Sequence, residues 1–396
     1  MKLLYLCHRF PYPPNKGCKI RAFHTIEHLA RDHDVWCATF VDDPADMQYI
    51  PAMKEFCREV ITVPLDRMRA ALRGAFDMAI DETLTEGFYR SKPMRDAIRE
   101  LTARVKFDGV VAFSSSMGQY ARSVDAGTKI IDLCDLDSQK WAAMAKRSSA
   151  PRSWFYEAEA RRLAELEAQL YDEFDATLLI SQQEANDWDG DRSKLHVMGN
   201  GVHCPKQIQA GICDSKVIGF VGDMRYMPNV DAVCWFAECI LPTIRQRVPD
   251  ATFRIIGRSP TRRVRRLADI EGVCVTGEVD DVIEHLNQCQ VVVAPLRIAR
   301  GIQNKVLEAM AARKAVVVTT PVANALHASP DEHLMVGDTP ESIAGSVARL
   351  LIDPLRCAEL GSDAHRWVSS EYRWSRQLQT LDRMLKSSPA TFLASV

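Results

Sequence analysis

The chain carries twelve cysteines but no Cys-x-x-Cys pair, which removes zinc ribbons and dithiol redox motifs from consideration. So many unpatterned thiols suit a reducing cytoplasm. No apolar run approaches the roughly 18 residues of a membrane span. The apolar start MKLLYLC is cut short by His8 and Arg9, so it reads as a first core strand and not as a secretory signal. Neither sign of charge is in excess. Lys and Arg number 50 against 52 Asp and Glu, a net charge of −2 that offers no general attraction for nucleic acid or an anionic membrane. With no recognition module either, nucleic-acid binding is disfavoured. Short-period repeats and low-complexity tracts are absent as well.

What is present is 396 residues, 47% of them apolar, enough for two ordinary cores. Short apolar runs alternate with helix-length segments. The expected strands are 2–7, 35–41, 59–63, 108–113, 129–133, 176–181 and 194–198, then 216–221, 251–256, 273–275, 290–294, 315–319 and 334–336. Runs such as VVVAP and AVVVTT are apolar on both faces, as in strands covered on both sides. The pattern predicts an α/β protein with parallel sheets flanked by helices. The clearest break is GNGVHCPKQIQAGICDS, 199–215, rich in glycine and without helical period, which reads as a linker between two α/β domains. Ligands in open α/β sheets bind beyond the carboxyl ends of the strands, so two such domains are expected to face a cleft and supply one ligand each.

The stretch GIQNKVLEAMAARKAVVVTT, 301–320, reads as a helix start, a helix and a strand. A helix N-terminus offers unpaired N–H groups and partial positive charge. Gly301 allows close backbone approach, Lys305 adds a charge one turn in, and Arg297 and Arg300 lie in the preceding loop. That set suits a phosphate or diphosphate. Glu308 shares a helix face with Lys305 and can accept two hydroxyl hydrogen bonds, as from a ribose. The same spacing also fits a plain helix ion pair worth a few tenths of a kcal/mol.

GIQNKVLEAMAARKAVVVT resembles the signature of retaining glycosyltransferases of family 4, whose GT-B fold has two Rossmann-like domains facing a central cleft. The likeness runs along nearly the whole chain: PYPPNKGCKIRAFH, LCDLDSQKW, NGV, FVGDMRYMPNVDAVCWFAECILPTI and VTGEVDDVIEHLNQCQVVVAPLR resemble family stretches in the right order. LCDLDSQKW is similar to a subgroup associated with exopolysaccharide loci of the PEP-CTERM/exosortase system. The resemblance implies an N-terminal acceptor domain (1–203), a C-terminal nucleotide-sugar domain (204–375) and a last helix (376–396) crossing back to the first domain. It implies a bacterial hexosyltransferase-like enzyme that retains configuration, needs no metal or other cofactor, and passes sugar from a nucleotide-diphosphate sugar to a glycan or lipid-linked acceptor. Its place would be the cytoplasm, with peripheral contact at the inner face of the plasma membrane. A nucleotide-sugar epimerase of the same fold and a non-catalytic nucleotide-sugar-binding scaffold are the rivals.

Carried over residue by residue, the resemblance gives Glu308 to the donor ribose and Gly301, Ile302 and Gln303 to the diphosphate and sugar. Gly222 belongs to the opening of the donor domain, and Glu278 and Val279 in GEVDD to the place where the base is held by backbone groups. GEVDD also reads as an ordinary turn. The family's first glutamate is replaced by Arg300. Its arginine and lysine after the domain's first strand are replaced by Asp223 and Pro228. The charge on the leaving diphosphate is therefore expected from Lys305, Arg297 and Arg300. On the acceptor side the expected residues are Gly17, Arg21, Asp135 and Asp137. Lys305 and Asp135 are the expected catalytic groups, Asp135 taking the acceptor hydroxyl's proton or orienting the acceptor. Arg21 also fits a solvated helix position, and Asp137 with Ser138 a helix cap. Ser114–Ser116 and His8 also follow strands and are placed to line a pocket. His24 and His28 read as helix surface in the absence of a third metal ligand. The basic stretches DRMRAALRGAF and RSPTRRVRRL fit a membrane face, a donor mouth or solvated helix faces.

Overall fold

The computed structural model describes residues 1–15, 17–79, 82–146, 148–204, 213–297, 299 and 302–386. Every expected run is a strand, with ends within three residues of the expected ones. They are β1 Lys2–Cys7, β2 Asp34–Val41, β3 Glu59–Pro64, β4 Phe107–Phe113, β5 Ala126–Cys134, β6 Ala176–Leu179 and β7 Leu195–Val197. After these come β8 Val217–Val221, β9 Thr252–Ile256, β10 Val273–Gly277, β11 Val291–Ala294, β12 Ala315–Val318 and β13 Met335–Val336. They form a seven-stranded sheet of order β3-β2-β1-β4-β5-β6-β7 and a six-stranded sheet of order β10-β9-β8-β11-β12-β13. All pairings between neighbours are parallel.

The chain divides into two compact units. Met1–Gly199 together with Gln377–Val396 makes the first, and Asn200–Arg376 the second. In the first, Leu4, Leu6, Phe40, Val110, Ala112 and Ile131 are buried within one core. The helix Gln379–Lys386 packs onto this unit through buried Leu381 and Leu385. Leu385 reaches the sheet at Gly109, where an added Cβ would stand 3.0 Å from Leu3 and 3.4 Å from Leu385. Asp382 of the same helix holds the His28 Nε2 at 3.0 Å. His28 and His24, which lies 2.9 Å from Glu27, each serve a carboxylate and stand partly buried.

The second unit has its own core. Val291–Ala294 and Ala315–Val318 are buried along their whole length. β-branched residues without solvent on either face belong in a central parallel strand. In both sheets the strand order reverses at one point. That point is between β1 and β4 in the first sheet and between β8 and β11 in the second. The crevice outside the carboxyl ends of those strands is where such sheets take ligands.

Candidate functional site

In the second unit the loop after β11 leads into the helix Asn304–Ala311, and this end of the helix lies at the sheet's switch point. Arg300 and Gly301 lie outside the described residues. Gln303 is the N-cap residue, with extended backbone and no side-chain cap. Ile302 packs partly against the core. Val306, Leu307, Ala309 and Met310 bury the inner face of the helix and leave Lys305 and Glu308 partly exposed.

Lys305 and Glu308 form no ion pair with one another, which corrects the plain ion-pair reading of their spacing. The Lys305 Nζ donates instead to the Oδ1 of Asn229 and lies 4.8 Å from the centre of the Phe220 ring. Burial pushes Lys305 down to about 8, and its nearness to Glu308 offsets this only in part. Burial pushes the Glu308 carboxyl up to about 7, again against a weaker pull from Lys305. An ammonium and a carboxylate both moved towards neutrality, without a direct bond, mark a place that lacks its counter-groups.

Asn229 ties this helix to the loop after β8. Its Nδ2 donates to the Asp223 carbonyl at 2.9 Å, while its own Oδ1 takes Lys305. The neighbouring loops are stitched together by backbone bonds: Gly222 N to Ile256 O (3.0 Å), Met224 N to Arg258 O (3.0 Å) and Gly257 N to Gly277 O (3.1 Å). Gly257 has φ +151°, and a Cβ there would lie 1.8 Å from the Gly222 carbonyl oxygen, so the loops after β8 and β9 meet only because position 257 is glycine. A Cβ on Gly222 itself would stand 2.6 Å from the Asn229 Nδ2.

The Asp223 carboxylate takes two guanidinium groups. Arg225 reaches it through Nη2 (2.6 Å) and Nε (3.1 Å), and Arg258 through Nε (2.9 Å). Hydrogen bonds from Arg225, and then from Arg258, hold this carboxyl well below the usual carboxylate range. Arg297 is engaged elsewhere than expected: it pairs with Asp231 (Nε to Oδ2 2.9 Å) and lies 5.3 Å from the centre of the Trp235 ring. Glu278 is exposed and Val279 packs partly on the core. Asp281 caps the helix Val282–Asn287 by accepting from Ile283 N at 2.7 Å, so GEVDD is a turn into a helix start.

In the first unit the carboxyl edge of the sheet carries the residues expected on the acceptor side. Gly17 opens the helix Gly17–Leu29, is exposed, and has open space where a Cβ would stand. Arg21 is fully buried, which corrects both the acceptor-side and the solvated readings. Its guanidinium grips the buried Asp132 of β5 through Nε (2.7 Å) and Nη2 (2.9 Å), and Nη1 donates to Met198 O at 2.8 Å. A carboxylate inside a β-strand needs a counter-ion, and Arg21 supplies it. Asp135 and Asp137 both hold Lys140, at 2.8 and 3.1 Å, and remain about one-third exposed. Asp137 and Ser138 do not cap their helix. The N-cap residue is Leu136, and remote carboxylates do that work: Glu184 accepts from Leu136 N (2.7 Å) and Glu167 from Ser138 N (3.0 Å).

Two neighbouring features are less open than the sequence suggests. Ser115 and Ser116 are buried, although Ser114 before them takes a left-handed backbone with φ 82°. His8 packs against Tyr89 and Phe113, with ring centres 5.6 and 5.4 Å away. Burial, and then the nearby Arg9, push its imidazole down to about 4, so it is neutral at pH 7. A pocket of 580 Å³ lies elsewhere on this unit, lined by Glu82, Glu86, Arg90, Arg95, Arg122 and Arg162 among others. None of the expected acceptor residues lines it. Among the described residues no three His, Cys, Asp or Glu side chains converge as a metal-binding set, and no helix is long and apolar enough to cross a membrane.

Comparison with known proteins adds to this geometry. Residues 215–353 match a family model described as "Glycosyl transferases group 1". A GDP-mannose-dependent alpha-(1-6)-phosphatidylinositol monomannoside mannosyltransferase of Mycobacterium tuberculosis is 28% identical over 165 residues. The match covers 38% of this chain and 43% of that protein, so the chain spans less than half the length of the curated relative. Among solved structures, a sucrose-phosphate synthase from Thermosynechococcus elongatus superposes over 100% of both chains with a TM-score of 0.68 at 15% identity. Anabaena Alr3699/HepE in complex with UDP-glucose does so over 98% of this chain and 100% of that one, with a TM-score of 0.65 at 14% identity. At such identity the likeness speaks for the fold, and the fold is GT-B.

Proposed function

We propose, from the group 1 glycosyl transferases that residues 215–353 match, that this chain is a metal-independent glycosyltransferase of bacterial exopolysaccharide biosynthesis. It moves a sugar from a nucleotide-diphosphate sugar to a glycan or lipid-linked acceptor, with retention at the anomeric carbon. The observation that carries the reading is the Lys305–Glu308 pair, two partly buried charges at the switch point of the second sheet that form no ion pair with one another, Lys305 holding only the neutral Asn229 carboxamide. A nucleotide diphosphate supplies both missing partners: anionic oxygens for the ammonium and ribose hydroxyls for the carboxylate. The Mycobacterium relative named as GDP-mannose-dependent and the Anabaena protein in complex with UDP-glucose support a nucleotide-sugar donor.

In the reaction the bond between the anomeric carbon and the distal phosphate oxygen breaks, and its electron pair leaves with the diphosphate. Lys305 and the amides at the start of its helix stabilise that charge. The acceptor oxygen bonds to the same carbon and gives up its proton, either to a departing phosphate oxygen or to Asp135. Glu308 anchors the ribose, and Ile302 and Gln303 lie beside the diphosphate and sugar. The exopolysaccharide role rests on the resemblance of LCDLDSQKW alone.

Thermal unfolding with UDP, GDP, ADP and CDP tests the donor. A diphosphate at 100 times its Kd stabilises the native state by about 2.7 kcal/mol. One of the four should raise the midpoint, unchanged by EDTA, and its sugar conjugate should then release diphosphate only when acceptor is added. Epimerised donor without acceptor would establish an epimerase instead. A rise without transfer to any acceptor would leave the non-catalytic scaffold, and no rise with any diphosphate would overturn the donor reading.

The membrane belongs to this proposal as the place of a lipid-linked acceptor. On the helix Arg67–Ala79, Met68, Leu72 and Phe76 stand 78%, 70% and 65% exposed at four-residue spacing, with Arg67, Arg69 and Arg73 exposed among them. One apolar stripe flanked by arginines fits the surface of an anionic bilayer. The Leu72→Glu/Phe76→Glu variant should lose at least about tenfold in partitioning to phosphatidylglycerol vesicles, since each buried side chain is worth about 1.5–3 kcal/mol. Equal sedimentation of variant and wild type would remove this helix from the membrane face.

A further inference from the structure

Two of the described arginines at the carboxyl edge of the second sheet, Arg225 after β8 and Arg258 after β9, already hold an anionic partner. Arg225 and Arg258 both spend their guanidinium groups on Asp223, the residue directly after Gly222. Arg225 also donates its backbone N–H to the Asp223 Oδ1 at 3.0 Å. The same residue's carbonyl oxygen is joined to Lys305 through the single carboxamide of Asn229. Thus two guanidinium groups, from the loops after β8 and β9, converge on one carboxylate at the carboxyl edge of the sheet, and Lys305 is linked to the same residue's backbone through Asn229.

A carboxylate held by two guanidinium groups is the arrangement in which such groups bind a phosphate. We infer that Asp223 occupies the anion seat of the donor site, and that the diphosphate must displace it to take Arg225 and Arg258. This inference rests on the proposed donor reading and names a specificity residue within it. The exchange moves no proton and makes no covalent bond. Asp223 is 27% exposed and Arg258 25%, so both can trade partners without unfolding the loop, and Lys305 holds its place through Asn229 throughout. A site closed by its own carboxylate discriminates by charge: a ligand with one phosphate displaces Asp223 less readily than one with two. Free arginines would hold both.

The variant to make is Asp223→Asn, which keeps an oxygen for the Arg225 N–H and removes the competing charge. If the arginines sit on Asp223 in nine molecules of ten, the apparent affinity of the wild type is lowered about tenfold. Calorimetric titration with inorganic pyrophosphate, inorganic phosphate and the four nucleoside diphosphates reads this directly. Asp223→Asn should bind pyrophosphate and the matching diphosphate about tenfold more tightly, with a smaller preference for pyrophosphate over phosphate. Arg258→Gln should weaken both ligands in the wild-type and the Asp223→Asn backgrounds, a readout that survives if either single variant folds poorly. Wild-type binding with no gain in Asp223→Asn, or with no loss in Arg258→Gln, overturns this inference alone. No binding by any of the proteins overturns it together with the proposed function.

Discussion

Arg21→Met is expected to lower the stability of the first unit by about 3–5 kcal/mol, the range for removing one partner of a buried ion pair. Asp132 would be left in the middle of β5 with a charge and no counter-ion, since both residues are about 1% exposed. For a unit of this size the loss corresponds to a fall of roughly 10 °C in the unfolding midpoint. The double variant Arg21→Met/Asp132→Asn should regain much of it, because the stranded charge is then gone. An unchanged midpoint in the single variant would show that water reaches Asp132. Arg21 also joins the helix Gly17–Leu29 to the segment leaving β7 through Met198 O, so the variant should loosen that joint as well.

The second large effect is on transfer. Lys305→Ala and Glu308→Gln should each lower kcat/KM by about 10²–10³-fold, the size seen when one preorganised charge-stabilising group is removed from an active site. The pH profile gives an independent check. Glu308, raised to about 7, accepts ribose hydroxyls above that pH, and Lys305, lowered to about 8, carries its charge below it. The two charged forms coexist between those values, so activity should be a narrow bell centred there. Stability should run the other way. The folded Glu308 holds its proton more tightly than the unfolded chain, so stability from this group declines as pH rises from about 4.5 to about 7. Lys305 holds its proton less tightly when folded, so its penalty stands below about 8 and is relieved as pH rises towards 10.5. At pH 8 the Glu308→Gln protein should therefore unfold later than the wild type while transferring little sugar. Earlier unfolding would mean that Glu308 supports the fold instead of waiting for a ligand.

Both expectations show which parts of the molecule are legible in a sequence. The strands are legible because parallel strands covered on both faces must be short apolar runs, and VVVA or AVVV can hardly be anything else. Lys305 and Glu308 are legible because three residues of helix put two side chains on one face. What each charge does once there is not. Arg21 looks like a surface arginine until Asp132, 111 residues away, comes beside it. Arg297 looks free until Asp231 pairs with it and Trp235 lies against it. Asp223 reads as a lost basic residue, and only the meeting of Gly222 with Gly257 brings Arg258 to it. Asp137 and Ser138 have the chemistry of caps, yet Glu167 and Glu184 arrive from other helices to satisfy those amides. Local spacing governs backbone form, whereas partnership between charges depends on contacts far apart in the chain.

The helix Gln379–Lys386 belongs to the first unit although 177 intervening residues, Asn200–Arg376, build the second. During synthesis on the ribosome, therefore, the earlier half of the protein is not the first to be finished. The second unit has its full complement of strands once Arg376 has emerged, while the first still exposes the surface around Gly109 and His28 that Leu385 and Asp382 will cover. Nascent chains stalled before Gln379 should thus display a protease-resistant second unit joined to a protease-sensitive first one, the reverse of the usual vectorial order of domain folding.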